Sequence, residues 1–172
     1  IRVHEHAGGM DSMLAILEEA QPDAVFHLAS LFLSDHQPDD IDLLVQSNIL
    51  FGTQLVEAMT RIGATALINT GTSWQHYQGN KFNPVNLYAA TKQAYETLLQ
   101  YYIEAHGLRV VTLELHDTYG LGDTRPKLVN LLRRVALEDH PLEMSPGEQR
   151  IDLVHVDDVV SAFEIASHRL MA

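Results

Sequence analysis

Tyr88 and Lys92 stand four residues apart in the stretch Asn86-Leu87-Tyr88-Ala89-Ala90-Thr91-Lys92, which reads as the start of a helix. Helical spacing puts both side chains on one face. The chemistry open to such a pair is proton transfer. A phenol by itself titrates near pH ~10, and an ammonium beside it favours the phenolate, bringing the tyrosine into use as a proton donor and acceptor nearer neutrality. Two hydroxyls, Thr70 and Thr72, stand a short way upstream in Thr70-Gly71-Thr72-Ser73-Trp74. The same Tyr-Lys spacing occurs on many exposed helices, so the remaining chain decides what it means.

The elements that must position these residues can be read from periodicity and turn residues. Residues 1–5 lean towards a short strand. Asp11 or Ser12 is placed to cap a helix carrying Met13, Leu14, Ile16 and Leu17, closed by Pro22. Ala24-Val25-Phe26-His27-Leu28-Ala29 is a continuous apolar run of the kind buried on both faces of a parallel sheet. A polar loop leads into a long helix over residues 41–61, ended by Gly63. Residues 65–69 read as the next strand, with Thr70 to Trp74 as its exit loop. The helix bearing Tyr88 and Lys92 runs to Gly107, and residues 110–115 form a further strand whose exit loop is His116 to Gly120. Residues 127–138 read as an amphipathic helix, 151–156 as a strand, and Asp157 or Asp158 as the cap of a last helix reaching residue 170. This alternation predicts an α/β fold with a mainly parallel sheet.

Composition narrows the partners. Eleven Lys plus Arg against 23 Asp plus Glu give a formal charge of −12, which argues against nucleic acid and anionic membranes and for a small ligand. No apolar run approaches the roughly 18 residues that a membrane span needs. The absence of cysteine excludes a disulfide framework and a thiol nucleophile, and fits a cytoplasmic protein. Of the 10 histidines, His4 and His6 lack neighbouring ligands in sequence, and Asp157-Asp158 reads as a helix opening, so no metal site is expected.

Taken together, Pro84 with Tyr88, Lys92 and Glu96, the strand end His27-Leu28-Ala29, Thr70-Gly71-Thr72, Tyr119-Gly120 and Val154-His155-Val156-Asp157-Asp158-Val159 resemble the extended short-chain dehydrogenases/reductases. These form the NAD-dependent epimerase/dehydratase group that acts on nucleotide sugars. Asp117-Thr118-Tyr119-Gly120, followed by Asp123-Thr124-Arg125-Pro126-Lys127-Leu128, looks most like the branch near the CDP-abequose and CDP-paratose synthases, which reduce a 4-keto-6-deoxy nucleotide sugar.

The resemblance implies a Rossmann-like, doubly wound domain and a role for each matching residue. Tyr88 is the acid/base, and Lys92 lowers its pKa and holds the nicotinamide ribose. Thr70, with Thr72 as the alternative, hydrogen-bonds the reacting oxygen. Leu28, Ala29 and Ser30 line the cofactor, NAD or NADP. Asn48 matches a helix asparagine near the active site, although Gly52 falls one place later than in the usual pattern. Leu115 and Thr118 pass the nicotinamide. Thr72, Asp117, Arg125 and Arg150 face the substrate, with Lys127 a further candidate for its diphosphate, and Asp117 stands where many relatives have asparagine. Two helices, over residues 41–61 and the one carrying Tyr95, Leu98, Leu99, Tyr102 and Ile103, imply a homodimer by analogy.

The Gly-x-x-Gly-x-x-Gly turn for a pyrophosphate and the position that selects NAD over NADP are not among these residues. The chain is therefore expected to be an incomplete Rossmann-type domain within a longer protein, lacking its first strand, with the substrate-binding part beginning at about 121–150. The reading that follows is a nucleotide-sugar 4-ketoreductase or 4-epimerase. A 4,6-dehydratase fits less well, because that signature has an Asp-Glu pair where Gly71-Thr72 stands. A non-catalytic dinucleotide-binding or regulatory protein of the same fold is the alternative from another class.

Overall fold

The protein is described by a computed structural model, which covers residues 1–125, 127–138, 141, 143, 144, 146–148 and 150–172. Helix α1 (Gly9–Ala20) leads to strand β1 (Val25–His27). A short α2 (Ile41–Val45) passes through a π-turn (Gln46–Leu50) into α3 (Phe51–Ile62). Strand β2 (Ala66–Thr72), helix α4 (Leu87–His106), strand β3 (Arg109–Leu115) and strand β4 (Asp117–Tyr119) follow. Helix α5 (Leu128–Glu138), strand β5 (Leu153–His155) and helix α6 (Val156–Met171) end the chain.

The strands pair in parallel, in the order β1-β2-β3 and, as a second ladder, β4-β5. Side chains along β2 alternate between two apolar layers. Leu67 packs with Met13 and Leu17 of α1, Val56 and Met59 of α3, and Tyr95 and Leu99 of α4. Its neighbour Ile68 packs on the other face with Phe163 and Ala166 of α6. A strand covered on both sides has no polar face to show, which is why its first half reads as an unbroken apolar run. The result is the doubly wound, parallel α/β arrangement expected from the sequence.

Four local expectations are corrected. Residues 1–5 form no strand: they pair with no other segment among the described residues, and β-leaning side chains do not make a strand without a partner. Strand β2 continues through Thr70, Gly71 and Thr72, so these are strand residues, held by pairing with β3 as far as Leu115. Asp117 to Tyr119 likewise form a strand, because Leu153 to His155 lie beside them. Finally, α1 begins at Gly9 ahead of Ser12, whose Oγ instead accepts from the Ala7 N–H, and the cap of α6 is His155, whose Nδ1 accepts from the Asp157 N–H at 3.3 Å. Asp157 and Asp158 lie in the first turn of α6, where they complement the helix dipole.

Candidate active site

The carboxyl ends of β2 and β3 open into a cleft of about 170 Å³. It is lined by Thr70, Thr72, Tyr88, Leu115, Asp117, Thr118, Arg125 and Lys127, all singled out from the sequence, together with Phe32, Trp74 and His116. Chain topology explains the convergence. Parallel strands send all their exits to one edge, and the amino end of α4 sits against that edge.

Asn86 fixes the start of α4: its side chain accepts from the Ala89 N–H at 2.9 Å and donates to the Ser34 carbonyl at 3.0 Å. Tyr88 therefore sits in the first turn, its ring edge-on to Phe32 at 4.9 Å between centroids, and Phe32 in turn lies against Trp74. Burial pushes the Tyr88 phenol above its ordinary value, and the Ser30 side chain pulls it the other way. This differs from the expected lowering by Lys92. The Lys92 ammonium, on a side chain only 3% exposed, instead donates to the Thr70 backbone carbonyl at 2.9 Å. Burial brings Lys92 down to about 8, with Glu96 opposing the shift.

The two threonines share a face of β2 but differ in employment. Thr72 caps the following turn: its hydroxyl accepts from the Trp74 N–H at 3.4 Å, and its own N–H donates to Gln75 Oε1 at 2.8 Å. Thr70 Oγ1 is buried without a partner among the described residues. A hydroxyl in that state leaves polar capacity unused, at a cost unless something else meets it.

Asn48 is 1% exposed and belongs to the π-turn. Its Oδ1 accepts from the Leu31 N–H at 2.7 Å and from Ser30 Oγ at 3.2 Å, while its Nδ2 donates to the Leu31 carbonyl at 2.9 Å and to Thr91 Oγ1 at 3.0 Å. It ties the exit of β1 to α4, and so places Ser30 beside Tyr88 through a second residue rather than by direct contact. The π-turn also accounts for the late glycine, because it accommodates one residue more than an α-turn. Gly52 accordingly meets α4, where Tyr95 Oη donates to its carbonyl at 3.1 Å and a Cβ would stand 2.6 Å from the Tyr95 ring.

The remaining candidates divide between this cleft and two others. Leu28 is exposed, and Ala29 lines a separate cleft of about 550 Å³ with Gly8, Gly9 and Phe51. Arg125 commits its guanidinium to Asp123 through two bonds of 2.7 Å, while Lys127 donates to the Thr118 carbonyl at 3.0 Å on the cleft wall. Arg150 is exposed and lines an adjoining cleft of about 630 Å³ with Trp74, His76, Asp117 and Asp152. Phe32 had no signal in the sequence: it lies in an irregular segment, and only the fold brings it onto Tyr88. The meeting of His76, Glu96 and Glu114 was also missed, because they are far apart in the chain and only Glu96 belongs to a motif quoted above; one donor atom from each lies within 4.8 Å of the others. His76 Nδ1 faces the Lys81 carbonyl at 2.9 Å and Nε2 faces Glu114 at 3.0 Å. Both partners only accept, so the imidazolium satisfies the pair with its own protons, and the His76 pKa is raised because Glu114 and the Lys81 carbonyl outweigh burial.

Layering and cleft place this chain among Rossmann-type α/β proteins, whose ligands lie at the carboxyl ends of the strands. A model of the NAD dependent epimerase/dehydratase family matches residues 8–170, and the chain belongs to that family. It is 29% identical over 153 residues to CDP-abequose synthase of Yersinia pseudotuberculosis, covering 88% of this chain and 53% of that protein. It is 26% identical over 167 residues to dTDP-glucose 4,6-dehydratase of Haemophilus influenzae, covering 86% and 49%. Among solved structures it resembles the UDP-glucose 4-epimerase of Thermus thermophilus in complex with NAD, with a TM-score of 0.77 and 25% identity over 92% of this chain and 57% of that one. The chain spans about half the length of the curated relatives it matches.

Proposed function

We propose that the protein to which this chain belongs is a nicotinamide-dependent enzyme acting on a nucleotide sugar, as a 4-ketoreductase or a 4-epimerase. The observation that carries this reading is the cleft holding the protonated Tyr88 phenol together with a buried, unpartnered Thr70 hydroxyl. These are the two groups needed to hold a sugar oxygen and give it a proton. The residues present fit the nicotinamide end of a dinucleotide. An ammonium has three donors, and the Thr70 carbonyl takes one of Lys92's, leaving two for ribose hydroxyls. The cofactor, NAD in the solved relative named above and NAD or NADP here, supplies or takes the hydride. In the reducing direction the Tyr88 proton passes to the carbonyl oxygen, turning ketone into alcohol, and Thr70 holds that oxygen in place.

Likeness to a CDP-abequose synthase favours the reductase over the epimerase. Against a 4,6-dehydratase stands the absence of side-chain carboxylates at positions 71 and 72 on β2. Thr72, Asp117 and Lys127, with Arg125 beside them, are assigned to the substrate side of the cleft, and Arg150 to its outer rim. Leu28, Ala29 and Ser30 belong to the cofactor side.

The test is to incubate the full protein with a panel of nucleotide 4-keto sugars and reduced cofactor, following the cofactor's absorbance. Oxidation of the cofactor by at least one of them is expected, with Tyr88→Phe slower by about 10²-fold or more. No cofactor oxidation by any 4-keto sugar together with no interconversion of nucleotide-sugar 4-epimers, or a Tyr88→Phe protein as fast as the unaltered one, would sink the reading.

A further inference from the structure

Glu96 lies one helical turn beyond Lys92 on α4, on the face that carries Tyr88. Its Oε1 is buried and has no hydrogen-bond partner among the described residues. It comes within 3.2 Å of the place a Cβ on Gly71 would occupy, so β2 makes room for it by having no side chain there. Lys92 is almost wholly buried, and its one hydrogen bond among the described residues goes to a neutral carbonyl. A buried ammonium without a counter-charge gives up its proton. The charged groups around this point come from four elements. Lys92 and Glu96 are on α4, Glu114 is on β3, His76 follows β2, and His27 on β1 is a neutral imidazole, held down to about 4 by burial and by the charge of Lys92. With Lys92 and His76 protonated, the two cations balance the two carboxylates.

We propose that Glu96 is a positioning residue for Lys92: its buried carboxylate is the counter-charge that keeps the ammonium charged and directed at the Thr70 carbonyl and the cleft. The proposal rests on reading Tyr88 and Lys92 as the acid/base pair, and extends it to a residue that touches neither cofactor nor substrate. His76 bonds Glu114 at 3.0 Å, while Glu96, with a donor atom within 4.8 Å of both, keeps its Oε1 unbonded among the described residues.

Lys92 shares this chain with Lys81 and Lys127 only, and its side-chain carbon signal can be followed by NMR on the full protein labelled at lysine, assigned as the signal missing from Lys92→Arg. In the unaltered protein Lys92 is expected to titrate below the ordinary lysine value. Glu96→Gln should move the Lys92 midpoint down by about one pH unit and leave Lys127 in place. Glu96→Asp, which keeps the charge and shortens its reach, should move it down by less, and serves as the test should Glu96→Gln not fold. An unchanged Lys92 midpoint in whichever variant folds overturns the proposal. Activity provides the separate arm: the alkaline limb of kcat against pH should shift with the NMR midpoint. If the NMR midpoint moves while Tyr88→Phe leaves turnover intact, the electrostatic role of Glu96 stands and the functional reading of the cleft fails.

Discussion

At the scale of single residues, Thr70 and Thr72 show how the same side chain acquires different duties. The Thr72 hydroxyl is spent on the turn after β2, so Thr72→Val is expected to cost about 1 kcal/mol of stability, measured by urea unfolding, with turnover largely kept. Thr70 spends nothing on the fold. Thr70→Val should therefore leave stability near that of the unaltered chain and lower kcat by about 10²-fold. His27 gives a third prediction. It is 2% exposed and held at about 4 against an ordinary 6.5, so the folded state binds fewer protons than the unfolded one. Its contribution is fully present above pH 6.5 and is lost as pH falls towards 4, by on the order of 3 kcal/mol. Unfolding midpoints across that window should fall steeply, and should flatten in His27→Gln; an equally steep fall in the variant would rule His27 out as the cause.

At the scale of elements, the π-turn between α2 and α3 sets the register of everything that α3 presents to α4. Asn48 satisfies both backbone groups of Leu31 from this turn. Asn48→Leu leaves a buried N–H and carbonyl unmet and is expected to cost about 2–4 kcal/mol, with the Leu31 amide among the first to lose protection in hydrogen exchange. Gly52→Ala gains helix propensity yet sets a Cβ 2.6 Å from Tyr95, so it should destabilise the protein by about 1–3 kcal/mol despite that gain. From the sequence, a helix over residues 41–61 and an asparagine of interest were legible, because apolar spacing and side-chain type are local. The π-turn was not, because its cause is the packing of Asn48 and Gly52 against Thr91 and Tyr95, more than 40 residues away.

At the scale of the whole molecule, the apolar stripe of α4 is consumed within the chain: Tyr95, Leu99 and Tyr102 are buried in the core beneath β2. Of the two helices to which the resemblance assigned a homodimer, the one over residues 41–61 is then the candidate surface, with Leu43, Val45 and Leu50 each more than 40% exposed. Light scattering on the chain is expected to give twice its 19.2 kDa, and a value equal to 19.2 kDa would end that assignment. No helix among the described residues is long and apolar enough to cross a membrane.

The sequence by itself determined the alternation of strands and helices, the same-face placement of Tyr88 and Lys92, and the family. The first two follow from periodicity, turn residues and spacing along one chain, and the family from the resemblance of its motifs to a known group. Only the tertiary structure decided that Thr70, not Thr72, keeps a free hydroxyl among the described residues, that Phe32 covers Tyr88, that Arg125 is spent on Asp123, and that Glu96 carries a buried oxygen with no hydrogen-bond partner among those residues. Each of those depends on which partner reaches a group first and on how far water is excluded, and neither is written in the local order of residues. The proton chemistry of Tyr88 is the clearest case. Spacing named the lysine as its neighbour, but burial in the folded cleft, rather than that lysine, sets the phenol's pKa.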